Sequence, residues 1–482
     1  MRDKSTVVIV NLNLTASIAC PFTACVKVAA RNVCRMAILT LFLGASPLLA
    51  QETSETDVPA TPTAPYQLLF VETPMAFEPE LDVVVPEAAP ALNPEDDPDY
   101  IARLEIIGNY DKAVEQAELD GGAWDQHLVE ELAALGNLQQ QQGNHLAAID
   151  MFDRAIHINR IHSGLHTLEQ ISSVEKLIDS YLALGNWERA DLYYNYLYYI
   201  QQKAYGPHDP RMIPVLSSLA SWNIQAFNIG YGESLGIRLS TAQILLNAAA
   251  SMVTVHFGDD DARFVSYRRN IANSAFLVSR NPELMAATDR LELRTIEETL
   301  LDQLDERNST RPRGFGAGEM ALREIVNFYA RQENAQYELA SALADLGDWF
   351  LMFERRRASQ DLYIEALNIL QKTDDAEASI EKLFGQVVPI PTFSNSVENL
   401  LTKPLTTADG KSLNSDFVDV VFDVMPTGTT RNIQILSEQN EFNQAMFSRL
   451  ERVVRDSYFR PKIVNGEPVR SEQNYFRYRY WY

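Results

Sequence analysis

Cysteine is the residue that this sequence lacks most clearly. Its three cysteines, Cys20, Cys25 and Cys34, all precede residue 36 of a 482-residue chain. The long remainder therefore has no thiol with which to form a disulfide, a thiolate metal site or a cysteine nucleophile. Because a chain without cysteine cannot mispair, this distribution is compatible with an oxidising compartment.

Positive charge is also scarce, with 41 Lys and Arg against 65 Asp and Glu and a net charge of −24. A general nucleic-acid binder needs an excess of Lys and Arg to neutralise phosphates. The same deficit disfavours docking on anionic lipid. At 46% hydrophobic and 10% aromatic residues, the composition is typical of a folded protein.

A catalytic or metal-binding cluster is a third absence. His157, His162 and His166 lie close in sequence, but their spacing does not form one metal-binding face, so a solvated loop is favoured. The stretch "HFGDDDARF" (256–264) lacks the alternating ligands of a calcium loop. The stretch "RPRGFGAGEM" (311–320) has neither the strand nor the Lys-Ser/Thr of a phosphate loop. We therefore expect a non-enzymatic protein without metal or cofactor, and an exported hydrolase is the weaker alternative.

The first 50 residues have the pattern of a secretory signal peptide. Arginines precede an apolar run, Met36–Gly44, and Ala50 ends a stretch suited to cleavage before Gln51. The run is shorter than the roughly 20 apolar residues that a spanning helix needs, so no membrane span is expected in the mature chain. Three alternatives stay open: translation from Met36, an uncleaved anchor and a buried N-terminal helix.

Two segments predict linkers between domains. Residues 51–98 hold nine prolines, eleven acidic residues and no Lys or Arg, which favours an extended chain. Within them "YQLLFV" (66–71) is apolar, and we expect it to dock on another surface. Residues 376–412 are rich in Pro, Ser and Thr and predict a connector.

Small residues recur at fixed offsets after residue 100. Such spacing is typical of stacked helical hairpins, because Gly and Ala let two helices approach while an aromatic ring fills the gap to the next pair. The period is 42 residues between the two clearest units. The predicted packing positions are Gly136, Gly143, Ala148, Phe152 and Ala155, then Gly185, Ala190 and Tyr194, and in a later unit Gly347, Tyr363 and Ala366.

This pattern resembles the tetratricopeptide repeat, and the 42-residue period with the loop "AYGPHDPRM" (204–212) is similar to the longer variety of kinesin light chains. The resemblance implies that residues 99–375 form an α-helical solenoid. Its signature weakens between about 265 and 335, where "LELRTIEETLLDQL" (291–304) still has a helical period.

The resemblance also implies a concave binding surface formed by the first helix of each hairpin. By repeat register its tentative residues are Glu130, Asn137, Gln140, Gln141, Glu175, Asp179, Ser221 and Gln225. This groove is polar, mildly acidic and poor in Lys and Arg, so we expect a ligand segment with basic or amide side chains. For the six tyrosines of 192–205, packing between repeats is favoured over an exposed interaction stripe.

A period of two replaces the helical period towards the C-terminus. Residues 417–424 and 431–436 alternate as strands, 441–456 is amphipathic with a helical period, and 475–482 alternates again. The order strand, strand, helix, strand predicts a small α+β domain over 413–482. We expect this domain to fold without the rest of the chain.

The domain resembles the C-terminal domain of TonB. The positions that carry the resemblance are Gly428, Phe459, Pro461, Gly466 and Pro468. The family implies a last strand that pairs with a strand of a partner protein. The corresponding residues are Tyr475, Arg477, Arg479 and Trp481, and the two arginines would favour an acidic partner. Together the two resemblances imply a periplasmic scaffold of a Gram-negative envelope that binds envelope proteins or peptides, and the alternative is an energy transducer acting on an outer-membrane transporter.

Overall fold

The described part of the chain is mainly helical, with strands concentrated towards the C-terminus. The computed structural model describes residues 70–71, 74–77, 98–232, 234–287, 314–392, 415–438 and 443–481. The predicted signal peptide, most of the linker 51–98, the later part of the connector and "LELRTIEETLLDQL" lie outside the described residues. The predicted mainly α class is confirmed.

Helices follow one another along the sequence and in space. They are α1 (Pro98–Gly121), α2 (Leu128–Gln141), α3 (His145–Ser163), α4 (Ile171–Ala183), α5 (Trp187–Tyr205), α6 (Met212–Asn228), α7 (Leu235–Phe257), α8 (Arg263–Arg280), α9 (Pro282–Ala287), α10 (Phe315–Ala330), α11 (Gln336–Met352), α12 (Arg356–Leu370), α13 (Ala376–Phe384) and α14 (Gln444–Asp456). Apart from the short α9, each helix from α1 to α13 packs against the next one.

Glycines in the left-handed conformation turn the chain within three of these helix pairs. Gly143, Gly185 and Gly230 have φ of 79°, 69° and 74°. The residue after the glycine donates its N–H to a carbonyl of the preceding helix, as Asn144 does to Gln139 at 2.8 Å. This is the hydrogen bond of a Schellman motif, which satisfies helix-end carbonyls and reverses the chain.

A second turn recurs between consecutive pairs. Gly206 ends α5 at φ 88°, and Asp209 accepts hydrogen bonds from the backbone N–H and the guanidinium of Arg211. These bonds hold the pKa of the Asp209 carboxyl at about 2, below its ordinary value. The same arrangement recurs at 258–263, where Asp261 accepts from the next helix.

Most of the predicted packing positions are buried between paired helices, whereas Gly143 is exposed in the turn after α2 and Tyr194 is half-buried. A Cβ at Gly136 would lie 2.7 Å from the Phe152 ring, and one at Gly347 would lie 2.6 Å from the Tyr363 ring. These glycines therefore set the distance between the helices that they join. Four further positions have no exposed surface: Ala148, Ala155, Ala190 and Ala366.

A twisted antiparallel sheet forms the C-terminal part. The strands are β1 (Phe70–Val71), β2 (Met75–Ala76), β3 (Val388–Ile390), β4 (Ser415–Val424), β5 (Thr430–Ile435), β6 (Tyr458–Arg460), β7 (Ile463–Val464), β8 (Glu467–Pro468) and β9 (Ser471–Trp481). In the main sheet β9 lies beside β4, and β4 beside β5. Helix α14 covers one face, and its Met446, Phe447 and Leu450 are buried with Phe422 and Phe476 of the strands.

The segment expected to be a connector begins as regular structure. Residues 376–384 form α13, and β3 then pairs antiparallel with β6, which places Val388 opposite Arg460. Leu383, Phe384 and Ile463 share a core with helices α11 and α12. Residues 376–384 contain no proline, so a helix can form there, and the apolar residues "VVPI" supply one short strand.

Candidate functional site

Strand β9 is the element expected to receive a partner. On one side its residues pair antiparallel with β4 from Ser415 opposite Trp481 to Val424 opposite Ser471. Buried Phe476, Tyr478 and Tyr480 face α14 and the core. The alternate residues Tyr475, Arg477 and Arg479 are therefore directed to the other face.

The outer edge of β9 is occupied by the chain itself. Phe70 and Val71 lie opposite Trp481 and Tyr480, and β2 pairs antiparallel further along the same edge. The apolar stretch expected to dock thus ends on the strand that was expected to bind a partner. Strand addition at this edge happens within the molecule.

Contacts beyond the backbone hold the end of this segment. The Phe77 N–H donates to the Tyr475 carbonyl at 3.2 Å, and the two rings meet edge to face with centroids 6.1 Å apart. The guanidinium carbon of Arg477 lies 5.1 Å from the Phe77 ring centroid, within the range of a cation–π contact. An aromatic residue is thus held opposite Tyr475.

Arg477 already has a carboxylate partner within the sheet. Its Nε and Nη2 donate to the two carboxylate oxygens of Asp419 on β4 at 2.7 and 2.9 Å. These hydrogen bonds raise the pKa of the guanidinium above its ordinary value. A carboxylate of the sheet thus already pairs with Arg477, and an acidic partner at this position stays a prediction.

The predicted groove residues divide into exposed and structural groups. Glu130, Gln141 and Glu175 are exposed, while Asn137, Asp179 and Ser221 are half-buried. Gln140 instead donates to the Lys176 carbonyl and to the Ser180 hydroxyl, both at 2.9 Å, and so joins α2 to α4. Gln225 is buried. Gln140 and Gln225 thus serve the packing of helices more than ligand contact.

Three of the six tyrosines of α5 join this helix to a neighbouring helix pair. Tyr194 stacks on Trp222 of α6 with centroids 4.9 Å apart, and burial raises the pKa of Tyr194 to about 12. Tyr193 donates to the Asp153 carboxylate of α3 at 3.1 Å, and the guanidinium carbon of Arg160 on α3 lies 4.9 Å from the Tyr196 ring centroid. Packing between pairs, the favoured interpretation, accounts for these three rings.

Sequence reasoning missed a buried ionic cluster between the helices and the C-terminal sheet. Arg460 of β6 is 3% exposed, and its Nε donates to Asp348 of α11 at 2.9 Å. A second guanidinium nitrogen lies 2.5 Å from Asp348 and 3.3 Å from Asp345. The Tyr363 hydroxyl donates to Asp348 at 2.7 Å, and the Thr392 hydroxyl donates to Asp345 at 2.6 Å. We name this cluster of five residues the Arg460 joint.

Burial and charge act against each other in the Arg460 joint. Burial disfavours the charged guanidinium, but Asp348 and Asp345 outweigh it and raise the pKa of Arg460. Burial raises the pKa of Asp345, although Arg460 opposes that shift. Burial and then Asp348 raise the pKa of the Tyr363 hydroxyl. A cation with two carboxylates and two hydroxyls can hold one orientation of two elements.

The turn between β4 and β5 also lies against both β6 and α11. A Cβ at Gly428, in the turn between β4 and β5, would lie 2.6 Å from the Phe459 carbonyl and 2.8 Å from Leu351 of α11. The Phe459 N–H donates to the Gly428 carbonyl at 2.8 Å. In the sequence, Asp345 and Asp348 stand three residues apart in the otherwise apolar stretch "LADLGDWFLM". This spacing was the signal that a buried cation pairs with them.

The described residues contain no group of His, Cys, Asp and Glu that could hold a metal ion. Among the helices described, none combines the length and apolarity needed to cross a bilayer.

Comparisons with known proteins name no family for the chain. No family model matches it, and no curated protein matches it. Among solved structures it is similar to BtubC (BKLC) from P. vanneervenii, with 13% identity over 56% of this chain and 91% of that chain. The TM-score of 0.32 is too low for this likeness to carry an argument.

Proposed function

We propose that this protein is a non-enzymatic scaffold of the bacterial periplasm that binds extended segments of envelope proteins along β9. In this proposal the helix pairs form a solenoid of the tetratricopeptide type, and the C-terminal sheet with α14 is a TonB-like domain. Export through cleavage before Gln51 would deliver the chain to that compartment.

One observation carries the proposal. The outer edge of β9 accepts added strands, because β1 and β2 reach it from near the other end of the sequence and pair antiparallel with it. Main-chain hydrogen bonds supply affinity in such strand addition, and alternate side chains supply specificity. An edge that accepts this segment has the geometry to accept a comparable segment of another protein.

The Arg460 joint favours a scaffold over the alternative of an energy transducer. A transducer must let its C-terminal domain move far from the rest of the chain under force. Here Arg460, β3 and Ile463 attach the sheet to α11 and α12. If the protein restored growth on siderophore-bound iron to a strain lacking its own TonB, the transducer would replace the scaffold as the better proposal.

Site-specific crosslinking tests where partners bind. A photoreactive phenylalanine analogue at Tyr475 reports on the edge of β9, and the same analogue at Tyr199, 41% exposed on α5, reports on the helices. After irradiation of native envelopes, we expect crosslinked proteins from Tyr475 and identification of an extended segment at the crosslink. Crosslinks from Tyr199 alone would move the partner site to the helices, and none from either position would refute the scaffold.

The proposed export can be tested by N-terminal sequencing. N-terminal sequencing of the protein from a periplasmic extract should begin near Gln51. An intact Met1 in the membrane fraction would contradict the proposed location.

A further inference from the structure

A cavity lies between the start of α11 and the start of α13. Its volume is about 560 Å³, within the range of about 300–1,000 Å³ that is typical of small-molecule sites. The turns before these two helices supply the rest of its lining. We name it the α11–α13 cavity, and its lining residues are distinct from those of β9 and of the Arg460 joint.

The two helix starts direct backbone donors at this cavity. Neither start has a capping hydrogen bond from a side chain in the described part of the chain. The first N–H groups bonded within these helices are those of Leu339 and Ser379, which donate to the carbonyls four residues earlier at 2.8 and 3.0 Å. The three N–H groups before each of them have no partner within their helix. Residues 336–338 and Ala378 carry four of these groups, and all four residues line the cavity.

The end of α12 comes directly before the same turn, and its carbonyl groups are largely satisfied. The Leu370 carbonyl accepts from the Thr373 N–H at 3.0 Å and from the Thr373 hydroxyl at 2.7 Å. The Leu367 and Ile369 carbonyls each accept an N–H of the turn, at 2.9 and 3.1 Å. The backbone here therefore offers mainly donors, which suit a negatively charged oxygen of a ligand.

A buried hydroxyl is the second observation that points to a ligand. Ser379 of α13 is 7% exposed, and it lines the cavity. Within the residues that the structure describes, its hydroxyl has no hydrogen-bond partner. Because buried hydroxyls in proteins are normally hydrogen-bonded, this one is available to a polar group in the cavity.

Two lysines add positive charge to the lining. Lys372 follows α12 and Lys382 lies on α13. The ammonium nitrogen of Lys382 lies 4.4 Å from the Tyr337 ring centroid, within the range of a cation–π contact. Tyr337 thus holds an ammonium group beside the N–H groups at the start of α11.

Three carboxylates line the same cavity, so a ligand with negative charge alone does not suit it. They belong to Glu338, Asp374 and Asp375, which are exposed. Since these carboxylates outnumber the two lysines, a purely anionic ligand would be repelled by the excess. A ligand that also carries a cationic group can pair with them. The lining therefore fits a molecule with both charges.

From these features we infer that the α11–α13 cavity binds a small zwitterion, namely a short peptide with a free amino group and a free carboxylate. The carboxylate accepts from the N–H groups of the two helix starts and from the Ser379 hydroxyl. The ammonium group pairs with Asp374 and Asp375. This inference goes beyond the proposed function and does not depend on it.

Calorimetric titration of the full chain with trialanine tests the inference. Trialanine has both charged ends and side chains that add little of their own. N-acetyl-trialanine, which lacks the ammonium group, and trialanine amide, which lacks the carboxylate, are the matched ligands. We expect saturable binding of trialanine with a Kd below about 1 mM, and binding at least about tenfold weaker for each blocked form.

Two variants locate the binding. Ser379→Ala should weaken trialanine binding by about tenfold, because a hydrogen bond to the carboxylate is lost. Ser173→Ala, at a serine that is 5% exposed on α4, is its control and should leave the affinity unchanged. Lys382→Gln should weaken binding by about threefold, whereas Lys203→Gln should not, although Lys203 also lies over a tyrosine ring, 5.4 Å from its centroid.

Each other outcome overturns part or all of the inference. The absence of saturable trialanine binding overturns the site, and equal affinity of Ser379→Ala and the parent chain overturns its location. Equal affinity for N-acetyl-trialanine, or tighter binding of inorganic phosphate, overturns the zwitterion. Crosslinking at Tyr475 reports on the scaffold separately, so failure of one proposal leaves the other standing.

Discussion

Replacing Arg460 with Met isolates the charge of the Arg460 joint. Methionine keeps an unbranched apolar stem in the space of the arginine stem, so the main loss is the guanidinium. Asp348 and Asp345, 0% and 7% exposed, would then lack their cation. Breaking a buried ion pair by removing one partner costs about 3–5 kcal/mol, since the remaining charge is buried and uncompensated. We expect the lower end of that range, because Asp345 can take up a proton.

Urea unfolding of the full chain, followed by circular dichroism at 222 nm, measures this loss. The slope with urea must match the parent chain for the midpoints to report stability. Arg431→Met is the matched control, because Arg431 is exposed on β5, and it should stay within about 0.5 kcal/mol of the parent. A loss below about 1 kcal/mol for Arg460→Met would refute the reasoning, since no buried pair would have been broken.

A double-mutant cycle shows whether the loss belongs to this contact. Asp348→Asn removes the carboxylate that receives two of the hydrogen bonds of Arg460. If the two groups interact, the double variant should lose less than the sum of the two single losses, by about 0.5–3 kcal/mol. Additive losses of stability would mean that the destabilisation by Arg460→Met does not come from the contact with Asp348.

Three further predictions concern protonation, packing and modularity. Burial raises the pKa of the Asp345 carboxyl above its ordinary value of 3.8, so this carboxyl holds a proton more readily in the native state than in the unfolded chain. The contribution of Asp345 to the free energy of unfolding therefore falls as pH rises above 3.8. The loss in the Arg460 variant should therefore be larger at pH 8 than at pH 5 in urea titrations, and a reversed trend would contradict the assignment. Gly347→Ala would force a Cβ against the Tyr363 ring and should destabilise by about 1–3 kcal/mol, whereas Gly108→Ala, with open space on α1, should stabilise by up to about 1 kcal/mol. A fragment of 385–482, which retains β3, should melt at least about 4 °C above one of 405–482, and equal melting temperatures would mean that β3 adds nothing to β6.

Local patterns account for what the sequence predicted well. The contact of Gly136 with Phe152 and the glycine turns at 143 and 185 join residues that are near in sequence, so each leaves a spacing that can be read directly. In residues 417–424 every second side chain is apolar, because that face of the strand packs against the core. Helix class, hairpin turns and strand order could therefore be anticipated.

Contacts between distant residues left no such spacing. Arg460 and Asp348 are members of different elements, and nothing in a single sequence pairs one arginine with one aspartate. The pairing of β1 and β2 with β9 could not be read from the sequence either. The apolar stretch before β2 predicted docking but did not identify β9 as the docking surface. Pairing register between distant strands depends on the whole fold, so the occupied edge of β9 could not be predicted.

The charge balance of the Arg460 joint explains why the residue is arginine. Two buried aspartates favour a cation, and the guanidinium donates to both Asp348 oxygens and to Asp345. A lysine ammonium is a compact, strongly hydrated charge that cannot match this fork. Arg269 of α8 lies 3.9 Å from Asp345, so a second cation offsets the remaining negative charge from another helix. The charged contacts at β6 therefore involve α8 and α11 together.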